Sequence, residues 1–116
     1  MYKNRLCEID ELKAKIDSFR PLSEHVLAQL KAYFKISFTY SSNAIEGNTL
    51  SLNETKIIIE DGITIGGKPV KEHLEVIGQA NAYDLLFEIV KCKKDISEDT
   101  ILELHRILYN KIDEAK

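Results

Sequence analysis

The chain has 116 residues, 44% of them hydrophobic and 30% charged, a balance that suits one folded domain or part of one and excludes a disordered chain. Its 16 Lys and Arg against 19 Asp and Glu leave a net charge of −3 with no basic block, so no nucleic-acid partner is expected. No apolar run approaches the roughly 20 residues needed to cross a bilayer, and "MYKNRLCEIDELK" has charges where a secretory signal needs an apolar centre, so the expectation is a cytoplasmic protein without a membrane partner.

From Lys3 to Phe19, Leu6, Ile9, Leu12, Ile16 and Phe19 recur at intervals of three and four, which predicts an amphipathic helix. "FRPLSE" interrupts it, and Pro21 suits the first turn of a second helix running through Ile45. That helix is apolar on most sides, with Val26, Leu27, Leu30, Tyr33, Phe34, Ile36 and Phe38, which predicts packing on more than one face. Gly47 and Asn48 tolerate the left-handed conformation that closes helices. Ser51 followed by Glu54 is a capping-box pattern, opening a third helix through Ile57, Ile58 and Ile59 to Asp61, with Gly62 as its stop. The three isoleucines would equally suit a buried strand; the cap and the stop favour the helix.

In "GITIGGKPV", Ile63, Thr64 and Ile65 favour extended backbone, Gly66 and Gly67 a hairpin turn, and Lys68, Pro69 and Val70 an edge return strand. The expectation is a small two-stranded flap. A fourth helix follows through Lys94 with Leu74, Ile77, Asn81 and Leu85 inward. Ser97, with Glu98 and Asp99 in the first turn, caps a fifth helix carrying Ile101, Leu104, Leu108 and Ile112. The predicted class is all-α, with about five helices and one small β-hairpin flap.

No nucleophile with its base, metal-ligand cluster or phosphate-cradling glycine loop is legible. His25, His73 and His105 lie in predicted helices and read as surface or hydrogen-bonded core residues. Cys7 and Cys92 stand far apart and read as reduced thiols, and Lys68 and Lys71 as solvated charges beside a turn. Glu46 is the residue that needs explaining. If the second helix runs through Ile45, Ser42 and Glu46 share a face, and Glu46 projects from a C-terminal end whose partial negative charge disfavours a carboxylate. It is either a solvated Glu before a capping Gly or a carboxylate held for an arginine of another segment.

Ser42-Asn43-Ala44-Ile45-Glu46-Gly47 resembles the inhibitory motif of the Fic family, enzymes that transfer AMP from ATP to hydroxyl side chains of target proteins. The likeness extends through "SNAIEGNTLSLNETKIIIEDG", "GGKPVKEHLEVIGQANAYDLL" and "ILELHRILY", in family order, from Thr39 to Tyr109. The resemblance implies the N-terminal portion of a Fic fold, with residues 1–48 a helical segment ending in the inhibitory motif and 49–116 an incomplete first part of the Fic domain. It implies that Glu46 pairs with the second arginine of the family's H-x-F-x-(D/E)-G-N-G-R-x-x-R loop, where the ATP γ-phosphate would be clamped. Ser42 would support the same face, Gly47 and Asn48 would allow the turn, and the flap from Ile63 to Val70 would clamp a target segment by strand addition.

That catalytic loop is absent from these residues, so no catalytic residue and no bound cofactor are expected in this chain; ATP with Mg belongs to the complete protein. The implied partners are the remainder of a Fic domain, in cis or in trans, through Glu46, and a target protein through the flap. A homo-oligomer is compatible with the sequence. The alternative reading is a non-enzymatic, antitoxin-like regulator that gives its inhibitory helix to a separate Fic chain.

Overall fold

The computed structural model describes residues 2–110 and 112. Among them five helices follow in order: α1 (Tyr2–Asp17), α2 (Glu24–Ile45), α3 (Leu52–Asp61), α4 (Val70–Lys91) and α5 (Glu98–Leu108). No strand occurs among the described residues, and no helix is long and apolar enough to cross a membrane. The all-helical expectation therefore holds and the hairpin does not. The chain divides into two compact units, Met1–Lys31 and Ala32–Lys116.

In the first unit, α1 carries the expected stripe, but Leu6, Ile9, Leu12, Ile16 and Phe19 are all exposed. The second helix starts later than Pro21 suggested. Ser23 is its cap, accepting the Val26 N–H at 3.2 Å on Oγ, so Pro21 lies in the preceding turn. Packing of this helix on several sides is also not what the chain shows. Only Ile36 and Thr39 of α2 are buried, while Val26, Leu27, Leu30, Tyr33, Phe34 and Phe38 stay exposed.

The second unit is built on α4, which packs against α3 on one side and α5 on another. Leu50, Ile58 and Val76 form the core cluster, with Ile59 and Ile65 packed against it. Ser51 and Glu54 close a reciprocal capping box at the start of α3, and Gly62, at φ 65°, ends the helix. Ile57 to Ile59 are thus helical, and the cap decides between the two readings of that run.

The inward face of α4 differs from the expected one. Ile77 and Asn81 are exposed, and the buried positions are Glu72, His73, Val76, Gly78, Ala80, Ala82 and Ile89. Two neighbouring helices press on α4, and at Gly78 the backbone of Leu108 comes too close for any side chain. Phe38 of α2 meets Tyr83 at a centroid distance of 5.9 Å, Tyr83 meets Phe87 at 5.4 Å, and Lys35 pairs with Asp84 at 2.9 Å. Ser97 caps α5 as expected, accepting the Thr100 N–H at 3.2 Å. Of the residues expected inward on that segment, Leu104 and Leu108 are half-buried, Ile112 is buried, and Ile101 is exposed.

Candidate functional site at the end of the second helix

Helix α2 ends in a Schellman turn. The Gly47 N–H reaches back to the Ala44 carbonyl at 3.1 Å and the Asn48 N–H to the Asn43 carbonyl at 2.9 Å. Gly47 stands at φ 96°, a conformation that L side chains rarely adopt. Glu46 is the last residue before this reversal. It is exposed, and the last turn of α2 carries no basic residue to offset its charge.

The chain after Glu46 is bound to the first turn of α4. The Asn48 side chain donates to the Glu72 carbonyl at 3.1 Å, while its Oδ1 accepts the Leu50 N–H at 2.9 Å. Thr49 donates twice to the Glu72 carboxylate, from its N–H to Oε1 at 2.9 Å and from its hydroxyl, which lies 3.0 and 2.9 Å from the two carboxylate oxygens. Lys68 adds a third strand of the network, with Nζ 3.1 Å from the Thr49 carbonyl and 3.2 Å from its hydroxyl. Lys68 is therefore not the solvated charge that the sequence suggested.

Ser42, Asn43 and Glu46 line one wall of a cleft of about 220 Å³, and Glu75, Gln79, Leu108 and Tyr109 line the rest. Ser42 and Glu46 do share a face. Glu75 brings a second carboxylate to it, and burial, aided by the charges of Glu72 and Glu46 and opposed by Lys71 and Asn48, pushes the Glu75 carboxyl above its ordinary range. A cleft with two carboxylates suits a cation. It does not suit a nucleotide phosphate, and among the described residues no group of three His, Cys, Asp or Glu could hold a metal ion.

Residues Ile63 to Pro69 form a loop and not a hairpin, and Val70 already belongs to α4. The Lys68 N–H closes a turn on the Ile65 carbonyl at 3.4 Å, and α4 begins at Val70, which leaves no length for a return strand. Gly66 and Gly67 make the expected turn, with Gly67 at φ 82°. The loop is tied inward by His73, whose Nε2 accepts the Ile65 N–H at 2.9 Å while Nδ1 lies 2.9 Å from the Pro69 carbonyl. These two partners fix the neutral tautomer with its proton on Nδ1. His73 is thus the hydrogen-bonded core histidine expected, and the Ile63 and Thr64 side chains remain exposed at the rim.

Sequence reasoning missed Glu72 and Glu75. The available signal was an acid in the first turn of a helix opened by Pro69, where a carboxylate is favoured, and a second acid three residues on, over the same face.

No protein-family model matches the sequence. Over 71 residues, 60% of this chain, it is 48% identical to the protein adenylyltransferase fic-1 of Caenorhabditis briggsae, covering 14% of that protein. Over 103 residues, 87% of this chain, it is 37% identical to the protein adenylyltransferase Fic of Nematostella vectensis, covering 24% of it. The solved structure of Fic-1 (residues 134–508) from C. elegans matches 96% of this chain with a TM-score of 0.82 at 34% identity, over 33% of its own length. The chain thus spans a quarter or less of these curated relatives. Sequence identity to curated Fic proteins and a fold match to a solved one agree, and on that ground the chain belongs to the Fic family, as part of the length of its members.

Proposed function

We propose that this chain is the autoinhibitory part of a Fic-type protein adenylyltransferase, in which Glu46 acts as an internal anion for an arginine of the catalytic part. One observation carries the reading: an exposed carboxylate sits at a helix end that disfavours it, on backbone fixed by a Schellman turn, beside a cleft that already contains Glu75. Such an arrangement calls for a cation. A guanidinium pairs with a carboxylate through two parallel bonds, and breaking a buried pair of this kind by removing one partner typically costs about 3–5 kcal/mol. While engaged, that arginine is withheld from the terminal phosphate of ATP. The complete protein would transfer AMP from ATP, bound with Mg, to a hydroxyl side chain of a target. The catalytic base and the phosphate loop lie outside this chain's sequence, so the chain's own contribution is restraint.

Residues 63–70 would be the part that meets a target segment. Ile65 uses both its N–H and its carbonyl within the loop, so a main-chain contact to the target would fall on its neighbours.

The test is a chimera in which this chain replaces the matching third of C. elegans Fic-1, assayed for incorporation of radiolabelled AMP. Glu46→Gly should raise incorporation at least about tenfold, since close charged pairs across an interface couple by upwards of about 1.5 kcal/mol and each 1.4 kcal/mol is about tenfold. Incorporation that stays at the parent level would overturn the inhibitory role of Glu46.

A further inference from the structure

Glu72 is a carboxylate only 9% exposed, while the other acids among the described residues are half-buried or exposed. Burying it is unfavourable unless hydrogen bonds and a favourable field replace water. The first turn of α4 supplies the field, since the helix N-terminus is partially positive. The bonds come from Thr49, through its N–H and its hydroxyl, and the Asn48 side chain holds the Glu72 carbonyl beside them. Charge-assisted bonds of this type are about twice as strong as neutral ones. The bonds to the carboxylate all come from Thr49 and the bond to the carbonyl from Asn48, the two residues that follow Gly47 out of the Schellman turn. The backbone of Glu46 is therefore held on one side by α2 and on the other by Glu72.

The geometry points to Glu72 as the positioning residue for Glu46: its carboxylate clamps Thr49 to the first turn of α4, beside the Asn48 contact that its backbone carbonyl makes, and so keeps the Glu46 carboxylate at the cleft shared with Glu75. This inference rests on the reading of Glu46 as inhibitory. Glu72 itself touches no reacting group. It acts by removing the freedom that Glu46 would otherwise lose on meeting its cation.

The experiment uses the same Fic-1 chimera, with incorporation of radiolabelled AMP and the melting temperature measured for each variant. Glu72→Ala should raise incorporation about tenfold towards the Glu46→Gly level, and Glu72→Gln, which keeps an acceptor for Thr49, should raise it less. Placed on Glu46→Gly, Glu72→Ala should add nothing, because its effect passes through Glu46. A merely structural residue would instead lower incorporation in both backgrounds. If Glu46→Gly raises incorporation and Glu72→Ala, folded, does not, the positioning role is overturned and the reading of Glu46 stands. If Glu46→Gly is itself silent, the reading of Glu46 falls and takes this inference with it. Should Glu72→Ala fail to fold, Thr49→Val replaces it, and unchanged incorporation in that variant overturns the proposal.

Discussion

Gly78 of α4 faces the backbone of Leu108 so closely that a Cβ at this position would overlap the Leu108 carbonyl oxygen. Backbone cannot rotate aside as a side chain can. Gly78→Ala should therefore destabilise the chain even though alanine is the better helix former by about 1 kcal/mol. Overpacking at an unyielding contact costs about 1–3 kcal/mol, and at this backbone contact the upper end applies, so a net loss of up to about 2 kcal/mol is expected, read as a lower urea midpoint at unchanged slope. A variant as stable as the parent would mean that α4 and α5 do not approach at this point. The contact matters for the cleft as well, because Leu108 and Tyr109 form its far wall.

The start of α3 makes a second prediction, with a pH signature. The Ser51 N–H donates to the Glu54 carboxylate at 2.9 Å, and the Glu54 N–H to the Ser51 hydroxyl at 3.1 Å. The Ser51 N–H, with help from the Ser51 hydroxyl and Lys68, holds the Glu54 carboxyl below its ordinary range. Since the folded pKa lies below the unfolded one, the stabilisation is complete above the unfolded value of about 4.3 and is lost as pH falls through the folded one. Ser51→Ala should cost about 1 kcal/mol at neutral pH. Glu54→Gln should remove this part of the acid dependence, seen as a smaller drop in urea midpoint between neutral and acid solution. An identical drop in parent and variant would mean that the carboxylate is not engaged at the cap.

Much of this architecture was legible because it is encoded locally. Ser51, Glu54 and Gly62 mark both ends of α3, Ser97 marks the start of α5, and Gly47 marks the end of α2, each through one side chain or one backbone conformation. What sequence could not supply was the contribution of distant partners. The segment from Ile63 to Pro69 has the residue types of a hairpin, but His73, eight positions beyond Ile65, takes the backbone bond that a return strand would have made. Likewise the large apolar residues of α4 suggested its inner face, whereas with α3 and α5 packed on it the buried positions include Val76, Gly78, Ala80 and Ala82. At the site, the motif picked out Ser42, Glu46, Gly47 and Asn48. Glu72 and Glu75 emerged only when folding brought the start of α4 against the end of α2.

Glu75 carries the last prediction. Its carboxyl is pushed up chiefly by burial, and then by the charges of Glu72 and Glu46, so its folded pKa lies above its unfolded one. Between those two values the folded chain binds more protons than the unfolded chain, and stability falls as pH rises. The penalty is fully present at neutral pH. Glu75→Gln should therefore stabilise the isolated chain at neutral pH by a few tenths of a kcal/mol, discounted because the group is still partly solvated. The gain should vanish once pH is well below the unfolded value of about 4.3, where the carboxyl is protonated in both states. Urea midpoints at the two pH values provide the check, and a loss of stability at neutral pH would show that Glu75 already has a compensating partner. The same substitution in the Fic-1 chimera separates the cleft's own electrostatics from those of its occupant. If a guanidinium stands at Glu46 there, it also lowers the energy of charged Glu75, and the neutral-pH gain from Glu75→Gln should shrink or change sign.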